Sequence, residues 1–360
     1  MKPLHDTKVH SFASDNNSGI TPEVLTAIQA ANGGHQQACG HQQAYGADDY
    51  TAWLDDVIVK HFGSTATVYP VFNGTGANVV SLQAMSPRWG AVICASTAHI
   101  NVDEGGAPER MGSIKLLPVP TADGKLTPEL IDREAWGFGD VHRAQPVVVS
   151  ITQTTEMGTC YTPEEIRALA EHVHARGMTL HMDGSRISNA AAHLGLPLAA
   201  LTTEVGVDVL SLGGTKNGAL GAEAVVVLNP DALIGGAEAL PFVRKLSMQL
   251  GSKMRFISAQ LIALYEDDVW RRNARHSNEM ATLLRTTLED AHLPGVTFTQ
   301  ATESNAVFAT LPDGIANTLR EKFHFYDWDA TCNEVRWMCS FDTTAEHIHA
   351  FTAAIKQALS

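Results

Sequence analysis

Short runs of hydrophobic and β-branched residues alternate with amphipathic segments through the middle of the chain. The runs are AVICA (91–95), PVVVSIT (146–152), MTLHMD (178–183), VDVLSL (207–212) and AVVVL (224–228). Continuous apolar runs of this length are typical of parallel strands that are covered on both faces. The alternation of such strands with helices predicts an α/β domain with a doubly wound, mostly parallel sheet.

The helix signals are clearest at TPEEIRALAEHVHARG (162–177). Thr162 is a suitable N-cap, Pro163 suits the first helical position, and Glu165 completes a capping box. Gly177 is a suitable residue to end the segment. We therefore predict a helix between the strands at 146–152 and 178–183.

The chain after residue 250 has a different pattern. A helical pattern rich in Arg, Leu and Ala runs from about 254 to 288, and mixed strand and helix signals follow it. This is typical of a smaller α+β domain. We divide the chain into an N-terminal arm (1–16), a large domain (17–250) and a small C-terminal domain (251–360).

Composition and charge narrow the classes of function. The chain has 360 residues, of which 44% are hydrophobic and 18% charged, a balance that excludes a disordered or fibrous protein. Asp and Glu number 39 against 25 Lys and Arg, for a formal net charge of -14. Such a surface repels phosphate backbones and anionic lipids, so we expect neither a nucleic acid nor a membrane as partner.

The cysteines and the N-terminus indicate a cytoplasmic protein. The five cysteines, at 39, 94, 160, 332 and 339, form no CxxC pair, and we expect buried thiols rather than a disulfide or zinc framework. The N-terminus lacks the apolar segment of a secretory signal, and no run approaches the ~18 apolar residues of a membrane span. A small repeat, HQQACG (35–40) followed by HQQAYG (41–46), suggests either metal binding or, as we favour, a duplicated loop.

Two polar residues lie at the carboxyl ends of strands of the predicted sheet, which is where α/β proteins bind their ligands. Asp183 ends the run at 178–183, and its carboxylate is able to pair with a cation or, alternatively, to cap a helix that starts near Ser185. Lys216 lies among small residues in LSLGGTKNG (210–218), where a bulky group has room to approach the amine. A lone Lys in such a turn is also compatible with a solvated loop, and GGTKNG lacks the spacing of a Walker loop.

Two further features lie earlier in the chain. Gly74, Thr75 and Gly76 precede an apolar helical pattern, so that free N–H groups and the helix dipole are available for a phosphate. A plain loop explains the glycines equally well. His99 follows the strand at 91–95, and taken alone it is compatible with an ordinary satisfied polar residue.

The four features together predict a pyridoxal 5'-phosphate site. Lys216 would form a Schiff base with the cofactor, and an incoming amine would displace it. Asp183, 33 residues earlier, would keep the pyridine nitrogen protonated, which makes the ring an electron sink. His99 would stack on the ring, and the helix N-terminus after Thr75 would hold the phosphate.

The chain resembles the L-threonine aldolases, in the β-eliminating lyase group of fold-type-I pyridoxal-phosphate enzymes. HMDGSR (181–186) and LSLGGTKNG (210–218), in this order and spacing, are similar to the family's DGAR and lysine motifs. The other similar segments are Ser14-Asp15-Asn16, Tyr45-Gly46-Ala47-Asp48-Asp49, NGTGAN (73–78) and AHINVDEGG (98–106).

The resemblance implies a fold-type-I architecture and a role for each matching residue. Lys216 would be the Schiff-base lysine, Asp183 the pyridinium partner and His99 the stacking residue. Further cofactor contacts would come from Gly74, Thr75, Gly76, Arg186 and Arg255. Arg255 would reach the phosphate of a neighbouring subunit, which implies a homodimer or homotetramer with shared active sites.

The substrate implied is a small β-hydroxy-α-amino acid whose carboxylate would be held by Ser14, Arg186 and Arg336. Arg is well suited to this, because it grips a carboxylate through two hydrogen bonds. Retro-aldol cleavage of L-threonine or L-allo-threonine, reversibly, to glycine and an aldehyde is the function implied, with phenylserine as another possible substrate. β-Elimination, transamination or a non-catalytic protein of the same fold are the alternatives.

One segment departs from the family pattern. Many members have an ENTHN-like sequence after the strand near Ile151, whereas this chain has TQTTEMGTCYT (152–162). Glu156 falls where the family's His would lie close to the substrate hydroxyl. We expect Glu156 to be a catalytic base or, alternatively, a loop carboxylate that is hydrogen-bonded to backbone.

Overall fold

A seven-stranded mixed sheet forms the centre of the computed structural model, which describes residues 2–34 and 46–360. The strands lie in the order β1-β7-β6-β5-β4-β2-β3. They are β1 (Thr67–Val71), β2 (Gly90–Ala95), β3 (Lys115–Val119), β4 (Gln145–Thr152), β5 (Thr179–Gly184), β6 (Val209–Gly213) and β7 (Glu223–Val227).

Strands β2, β4, β5 and β6 are parallel, as predicted, and β3 is parallel to β2, but β7 runs antiparallel to both β6 and β1. The expectation of a parallel strand at 224–228 was therefore wrong. Only residues 214–222 join β6 to β7, and a parallel connection needs a crossover of about a dozen residues or more. The edge strands β1 and β3 escaped sequence analysis, and each contains a proline, which is confined to edge strands and strand ends.

Helices cover both faces of this sheet. Neighbouring residues of one strand point into different hydrophobic clusters: Ile93 packs with the larger cluster, whereas Val92 and Cys94 pack with the cluster beneath α3. The helices of the described residues are α1 (Pro22–Ala31), α2 (Asp49–Phe62), α3 (Gly74–Met85), α4 (His99–Val102), α5 (Ala107–Gly112), α6 (Pro128–Asp132), α7 (Pro163–His174), α8 (Ile187–Leu194), α9 (Leu240–Leu246), α10 (Arg255–Tyr265), α11 (Val269–Asp290), α12 (Ile315–Arg320) and α13 (Ala345–Ala358).

The structure confirms one predicted helix and divides another. Helix α7 begins with the predicted capping box, in which Thr162 and Glu165 exchange hydrogen bonds with each other's backbone. The helical pattern predicted from about 254 to 288 is confirmed, and it forms two helices, because α10 ends at Tyr265 and α11 starts at Val269. The Glu-Asp-Asp sequence at 266–268 explains the break, since acidic side chains are unfavourable at a helix C-terminus and favourable before an N-terminus.

A second, antiparallel sheet forms the small domain. Its strands lie in the order β10-β11-β9-β8. They are β8 (Thr297–Phe298), β9 (Ala306–Thr310), β10 (Tyr326–Asp329) and β11 (Glu334–Met338). The expectation of a mostly parallel large domain with a smaller α+β domain is confirmed.

The cores show which segments pack together. The core of the large sheet includes residues as far as Trp270, and the core of the small domain begins with Ala281 and also takes in Phe12 of the N-terminal segment. The domain division at residues 16 and 250 stays a prediction.

Three described cysteines are buried, but Cys332 is exposed, so the expectation of a buried thiol was wrong at this position in the small domain.

Two further predictions meet the structure only in part. The HQQACG/HQQAYG repeat, except for Gly46, lies outside the described residues, as does Tyr45 of the Tyr45–Asp49 segment. Within residues 2–34 and 46–360, no helix has the length and apolar character needed to cross a membrane.

Candidate active site

The predicted site residues converge at the carboxyl ends of the parallel strands. Asp183 lies at the end of β5, and Lys216 lies in the turn after β6. His99 starts α4 after β2, and Glu156 follows β4. The carboxyl ends of neighbouring parallel strands share one edge of a sheet, which is why residues far apart in sequence meet here.

Asp183 is a buried, ionised carboxylate. Its Oδ2 accepts a hydrogen bond from Asn78 Nδ2 (2.8 Å), and its Oδ1 accepts one from the backbone N–H of Ser185 (3.0 Å). Burial by itself would raise the pKa of Asp183, but the nearby Lys216 amine and these two hydrogen bonds outweigh it and hold the pKa below its ordinary value. Such a carboxylate is able to keep a bound ring nitrogen protonated.

Lys216 lies in an environment that favours the free amine. Burial and the nearby guanidinium of Arg186 lower the pKa of Lys216, and together they exceed the opposite effect of Asp15, Asp183 and Glu223. A larger fraction of unprotonated amine makes Lys216 a better nucleophile toward a carbonyl carbon.

The N-terminus of α3 lies where the sequence predicted a phosphate cradle, with the glycines inside the first helical turn. Asn73 caps the helix by accepting the N–H of Gly76 through Oδ1 (2.7 Å). The N–H groups of Gly74 and Thr75 make no hydrogen bond within the part of the chain that the structure describes, and they remain available to an anion. A Cβ at Gly76 would overlap the side-chain amide of Gln249, so a larger residue at this position would displace that side chain.

His99 belongs to a chain of hydrogen bonds that starts at Asp183. The two N–H groups of Asn78 bridge Asp183 Oδ2 and Glu104 Oε1 (2.9 Å), and the same Glu104 oxygen lies 3.4 Å from His99 Nδ1. A carboxylate oxygen accepts hydrogen bonds, so Nδ1 is the donor in this contact. Glu104 thereby orients the ring, and the ring is partly exposed, as a stacking residue must be.

Glu156 lies directly against His99. Its Oε1 accepts the backbone N–H of His99 (2.8 Å), which is the kind of contact that the simpler interpretation of this residue anticipated. Its Oε2 is buried and has no hydrogen-bond partner among the described residues. Burial and the negative charge of Asp183 raise the pKa of Glu156, and the hydrogen bond from His99 only partly opposes them.

Arg186 is held by a buried ion pair with Asp15. Its Nε and Nη2 donate to the two carboxylate oxygens of Asp15 at 2.7 and 2.8 Å, and Asn305 Nδ2 donates to Asp15 Oδ2 at 3.0 Å. Ser14, the neighbouring residue, accepts the N–H of Asn16 through Oγ and caps the short turn that places Asp15. The Nε and Nη2 positions of the guanidinium, which form one edge of it, are therefore occupied by the protein itself.

Arg336, on β11, is the second guanidinium of the site. Its Nε is buried and lacks an acceptor within the described ranges 2–34 and 46–360, and its Cζ lies 5.5 Å from the centre of the Trp328 ring. Burial and repulsion by Arg186 lower the pKa of Arg336. Two neighbouring cations, one with an orphan donor, fit the carboxylate of an amino acid.

Arg255 occupies a different place from the other predicted residues. It starts α10, its Nε donates to the carbonyl oxygen of Ala31 (3.0 Å), and its guanidinium lies 4.6 Å from the Phe256 ring. These contacts involve no other predicted site residue of the same chain, and its role toward a phosphate stays a prediction.

Several residues of the site were absent from the sequence-based set. Asp15, Asn78 and Glu104 each lie inside a motif that had been quoted, so the signal was present but was attached to neighbouring residues. Asn305 and Gln249 had no local signal, because their role comes only from contacts with Asp15 and with the first turn of α3.

The donor set fits pyridoxal phosphate. A helix N-terminus with free N–H groups suits the phosphate, an ionised Asp183 suits the pyridinium, and a Lys216 amine of lowered pKa suits the aldehyde. The orphan Nε of Arg336 suits the carboxylate of a substrate bound next to the cofactor.

Comparisons with known proteins agree with this geometry. The family model described as beta-eliminating lyase matches residues 11–312. A low specificity L-threonine aldolase of Pseudomonas sp. is 41% identical over 351 residues, which cover 97% of this chain and 98% of the relative. A protein of the same description from Pseudomonas aeruginosa is also 41% identical, with 96% of each chain covered.

Solved structures confirm the fold. A threonine aldolase of Leishmania major superposes with a TM-score of 0.86 at 27% identity, over 98% of this chain and 100% of the other. The Oryza sativa protein TDC, solved with PLP and tryptamine, has a TM-score of 0.75 over 97% of this chain and 83% of the other, and its 14% identity supports the fold alone. The chain belongs to the beta-eliminating lyase family, in which it groups with the L-threonine aldolases, and it is a pyridoxal-phosphate-dependent lyase, as its sequence predicted.

Proposed function

We propose that this enzyme cleaves the Cα–Cβ bond of L-threonine, L-allo-threonine or a related β-hydroxy-α-amino acid to give glycine and an aldehyde, and that it catalyses the reverse addition. The observation that carries the proposal is the convergence of the Lys216 amine, the Asp183 carboxylate and the two guanidinium groups of Arg186 and Arg336 at one sheet edge. Pyridoxal phosphate supplies, when bound, an electron sink for the pair released from the broken bond.

The residues of the cofactor site hold and polarise the bound ring. Lys216 would hold the cofactor aldehyde through its amine. Asp183 would hold a proton at the ring nitrogen, and its lowered pKa favours the carboxylate form that this requires. His99 would pack against the bound ring, in an orientation that Glu104 sets.

The two arginines decide which bond is broken. Arg336 offers its orphan Nε to the substrate carboxylate, and Arg186 offers the part of its guanidinium that Asp15 leaves free. A carboxylate held at two points fixes rotation about the bond to the α-carbon, so that Cα–Cβ stands perpendicular to the ring. Ser14 would complete this binding site.

Glu156 is the base for the β-hydroxyl proton in this proposal. A carboxylate whose pKa is raised suits a group that must accept and return a proton. Its free Oε2 is the atom that would receive the proton, while Oε1 stays bound to the His99 backbone.

A product assay tests the reaction type. The purified holoenzyme is incubated with L-threonine, and glycine, acetaldehyde, ammonia and 2-keto acid are each quantified. We expect equal amounts of glycine and acetaldehyde. Ammonia with a keto acid would indicate elimination, a keto acid without ammonia would indicate transamination, and no product would indicate a binding protein. The same assay with L-allo-threonine and phenylserine defines the side chain.

We propose that the working enzyme is cytoplasmic and that it is a homodimer or homotetramer in which Arg255 enters the site of the neighbouring subunit. Phe242, Leu246 and Met248, on and after α9, expose most of their apolar surface, which supports a subunit contact there. Mixed refolding of Lys216→Ala with Arg255→Ala is the test. If sites are shared, the mixture regains about a quarter of wild-type activity, because half of random dimers are hybrids and each hybrid has one of its two sites intact. If each subunit is self-contained, the mixture stays inactive.

A further inference from the structure

Glu223 is a buried carboxylate for which the reaction as described has no use. It starts β7, has an exposed fraction of 5%, and faces the turn that carries Lys216. Its Oε2 accepts the backbone N–H of Gly214 (2.8 Å) and its Oε1 accepts that of Thr215 (3.3 Å). These two residues directly precede Lys216, so the Glu223 side chain binds the backbone immediately before the lysine.

Other contacts of the turn are uncharged and lie on its flanks. The hydroxyl of Tyr265 donates to the carbonyl oxygen of Gly213 (2.5 Å), and Asn217 Nδ2 donates to the carbonyl oxygen of Trp270 (2.9 Å). Asn273 Nδ2 donates in turn to the carbonyl oxygen of Asn217 (2.9 Å). Glu223 is therefore the charged anchor of a turn that neutral groups hold at both ends.

Packing leaves the anchored backbone little freedom to move. A Cβ at Gly214 would overlap the carbonyl oxygen of Ala222, and one at Gly213 would overlap the backbone of Ser185. The close approach of these segments and the two hydrogen bonds that Glu223 accepts therefore act together on the backbone that carries Lys216.

Glu223 also acts on Lys216 through its charge. The groups that face the lysine are Arg186, which favours the free amine, and Asp15, Asp183 and Glu223, which favour the ammonium form. Asp15 pairs with Arg186, and Asp183 would pair with the ring nitrogen. Glu223 instead faces Lys216, the Thr215 hydroxyl and the Tyr265 phenol. Burial raises the pKa of Glu223, while Thr215, Gly214 and Lys216 stabilise its ionised form.

We propose that Glu223 is a positioning residue, which fixes Lys216 through the backbone of the turn. It also supplies the negative charge that favours a proton on the lysine nitrogen when that nitrogen is bound to pyridoxal phosphate. The inference rests on the proposed role of Lys216. The cofactor carbon that is double-bonded to the lysine nitrogen is more electrophilic when that nitrogen carries a proton than when it does not. The negative charge of Glu223 therefore speeds displacement of Lys216 by the substrate amine. In that displacement the substrate nitrogen adds to this carbon as the double bond to the lysine nitrogen opens. One proton then passes from the substrate nitrogen to the lysine nitrogen, and the remaining C–N bond to Lys216 breaks, which releases a neutral lysine amine and leaves one proton on the new nitrogen.

The test is a pH titration of the absorption spectrum of the holoenzyme, with wild type, Glu223→Gln and a control compared. Glu334→Gln is the matched control, because Glu334 is also buried and accepts a hydroxyl hydrogen bond, from Thr299, but lies in the small domain. Loss of a carboxylate near a cation lowers the cation's pKa by about one unit or more. We expect the deprotonation midpoint of the lysine-bound chromophore to fall by about one pH unit in Glu223→Gln and to stay unchanged in Glu334→Gln.

Each outcome decides a different point. Borohydride reduction followed by peptide mass analysis must place the cofactor on Lys216; a label elsewhere refutes the lysine assignment itself. A label on Lys216 with an unshifted midpoint in Glu223→Gln overturns the inference and leaves the proposed function intact. Should the Gln variant fail to fold, Glu223→Asp keeps the charge but shortens the reach to Gly214 and Thr215. It should then bind the cofactor with a near-normal midpoint and exchange Lys216 at least about tenfold more slowly, and wild-type exchange would reject the positioning role.

Discussion

Replacement of Asp15 by Asn tests whether the ion pair with Arg186 organises the substrate site. The carboxylate is almost fully buried, with an exposed fraction of 1%, and it accepts two hydrogen bonds from Arg186 and one from Asn305. An amide at this position offers one oxygen and presents an N–H group to donors. The substitution removes the negative charge and at least one accepted hydrogen bond while it preserves the shape.

The magnitude follows from what remains beside Arg186. Removal of one partner of a buried ion pair costs about 3–5 kcal/mol, because the other charge is left uncompensated. Glu156 and Asp183 also favour the charged form of Arg186, so part of the compensation survives. We therefore expect the lower end of the range, a loss of about 3 kcal/mol in the free energy of unfolding at pH 7.

The loss should depend on pH. Burial opposes ionisation of Asp15, but Arg186 and the hydrogen bonds outweigh it and hold the pKa of Asp15 below its ordinary value. A carboxyl whose pKa is lowered by folding stabilises the protein above its unfolded-state pKa, and the benefit disappears as the pH falls through the folded-state pKa. The difference between wild type and Asp15→Asn should thus be constant near neutrality and should narrow as the pH falls below about 4.

Urea unfolding across this pH range measures the stability, and steady-state kinetics with L-threonine at pH 7 measures the effect on the site. Arg186 without its partner should bind the substrate carboxylate in a less defined orientation, which raises KM and lowers kcat/KM. Asp208→Asn is the control, because Asp208 is also buried and accepts the N–H of Leu180 (2.7 Å) outside the site. A variant that is destabilised at position 15 yet has wild-type KM would refute the role of Asp15 in orienting Arg186.

Lys216→Ala should abolish glycine formation while folding and weak cofactor binding persist, since Asp183 and the first turn of α3 are unchanged; near-normal glycine production would reject the lysine assignment. Arg336→Ala should raise the KM for threonine by about 10- to 100-fold, because a charge-assisted hydrogen bond to the carboxylate contributes about 1.5–3 kcal/mol; an unchanged KM would place Arg336 outside the substrate site. Glu156→Gln should slow single-turnover cleavage by about 100-fold or more. The pKa of Glu156 is raised, so the wild-type rate should increase with pH through that value and the Gln variant should lose this acidic limb; cleavage within about tenfold of wild type would leave His99 or a water as the base.

Much of the central sheet was predictable because strands that are buried on both faces must be apolar along their whole length. The runs at 91–95, 146–152, 178–183 and 207–212 correspond to β2, β4, β5 and β6. The same logic placed Asp183 and Lys216, because a polar residue directly after such a strand has to lie at the ligand-binding edge. Local capping chemistry similarly defined the start of α7.

Other features were invisible because they depend on partners far away in sequence. The direction of β7 depended on the short connection after β6, and the apolar run itself contains no information on direction. Asp15 meets Arg186 across 171 positions and Asn305 across 290, so no local pattern indicates which carboxylate a given arginine will bind. The environments of Glu156 and Glu223 likewise arise from burial.

The amino-acid sequence by itself therefore determined the central strands, the family and the residue types of the chemistry, since these follow from local periodicity and from short motifs. The tertiary structure decided the pairing and the charge state of those residues. Asn78 was a motif residue in the sequence, and only the fold shows that its amide joins Asp183 to Glu104 and so to His99. The physical reason is that hydrogen bonds and desolvation act over a few ångströms in space, and chain folding alone sets which groups come within that range.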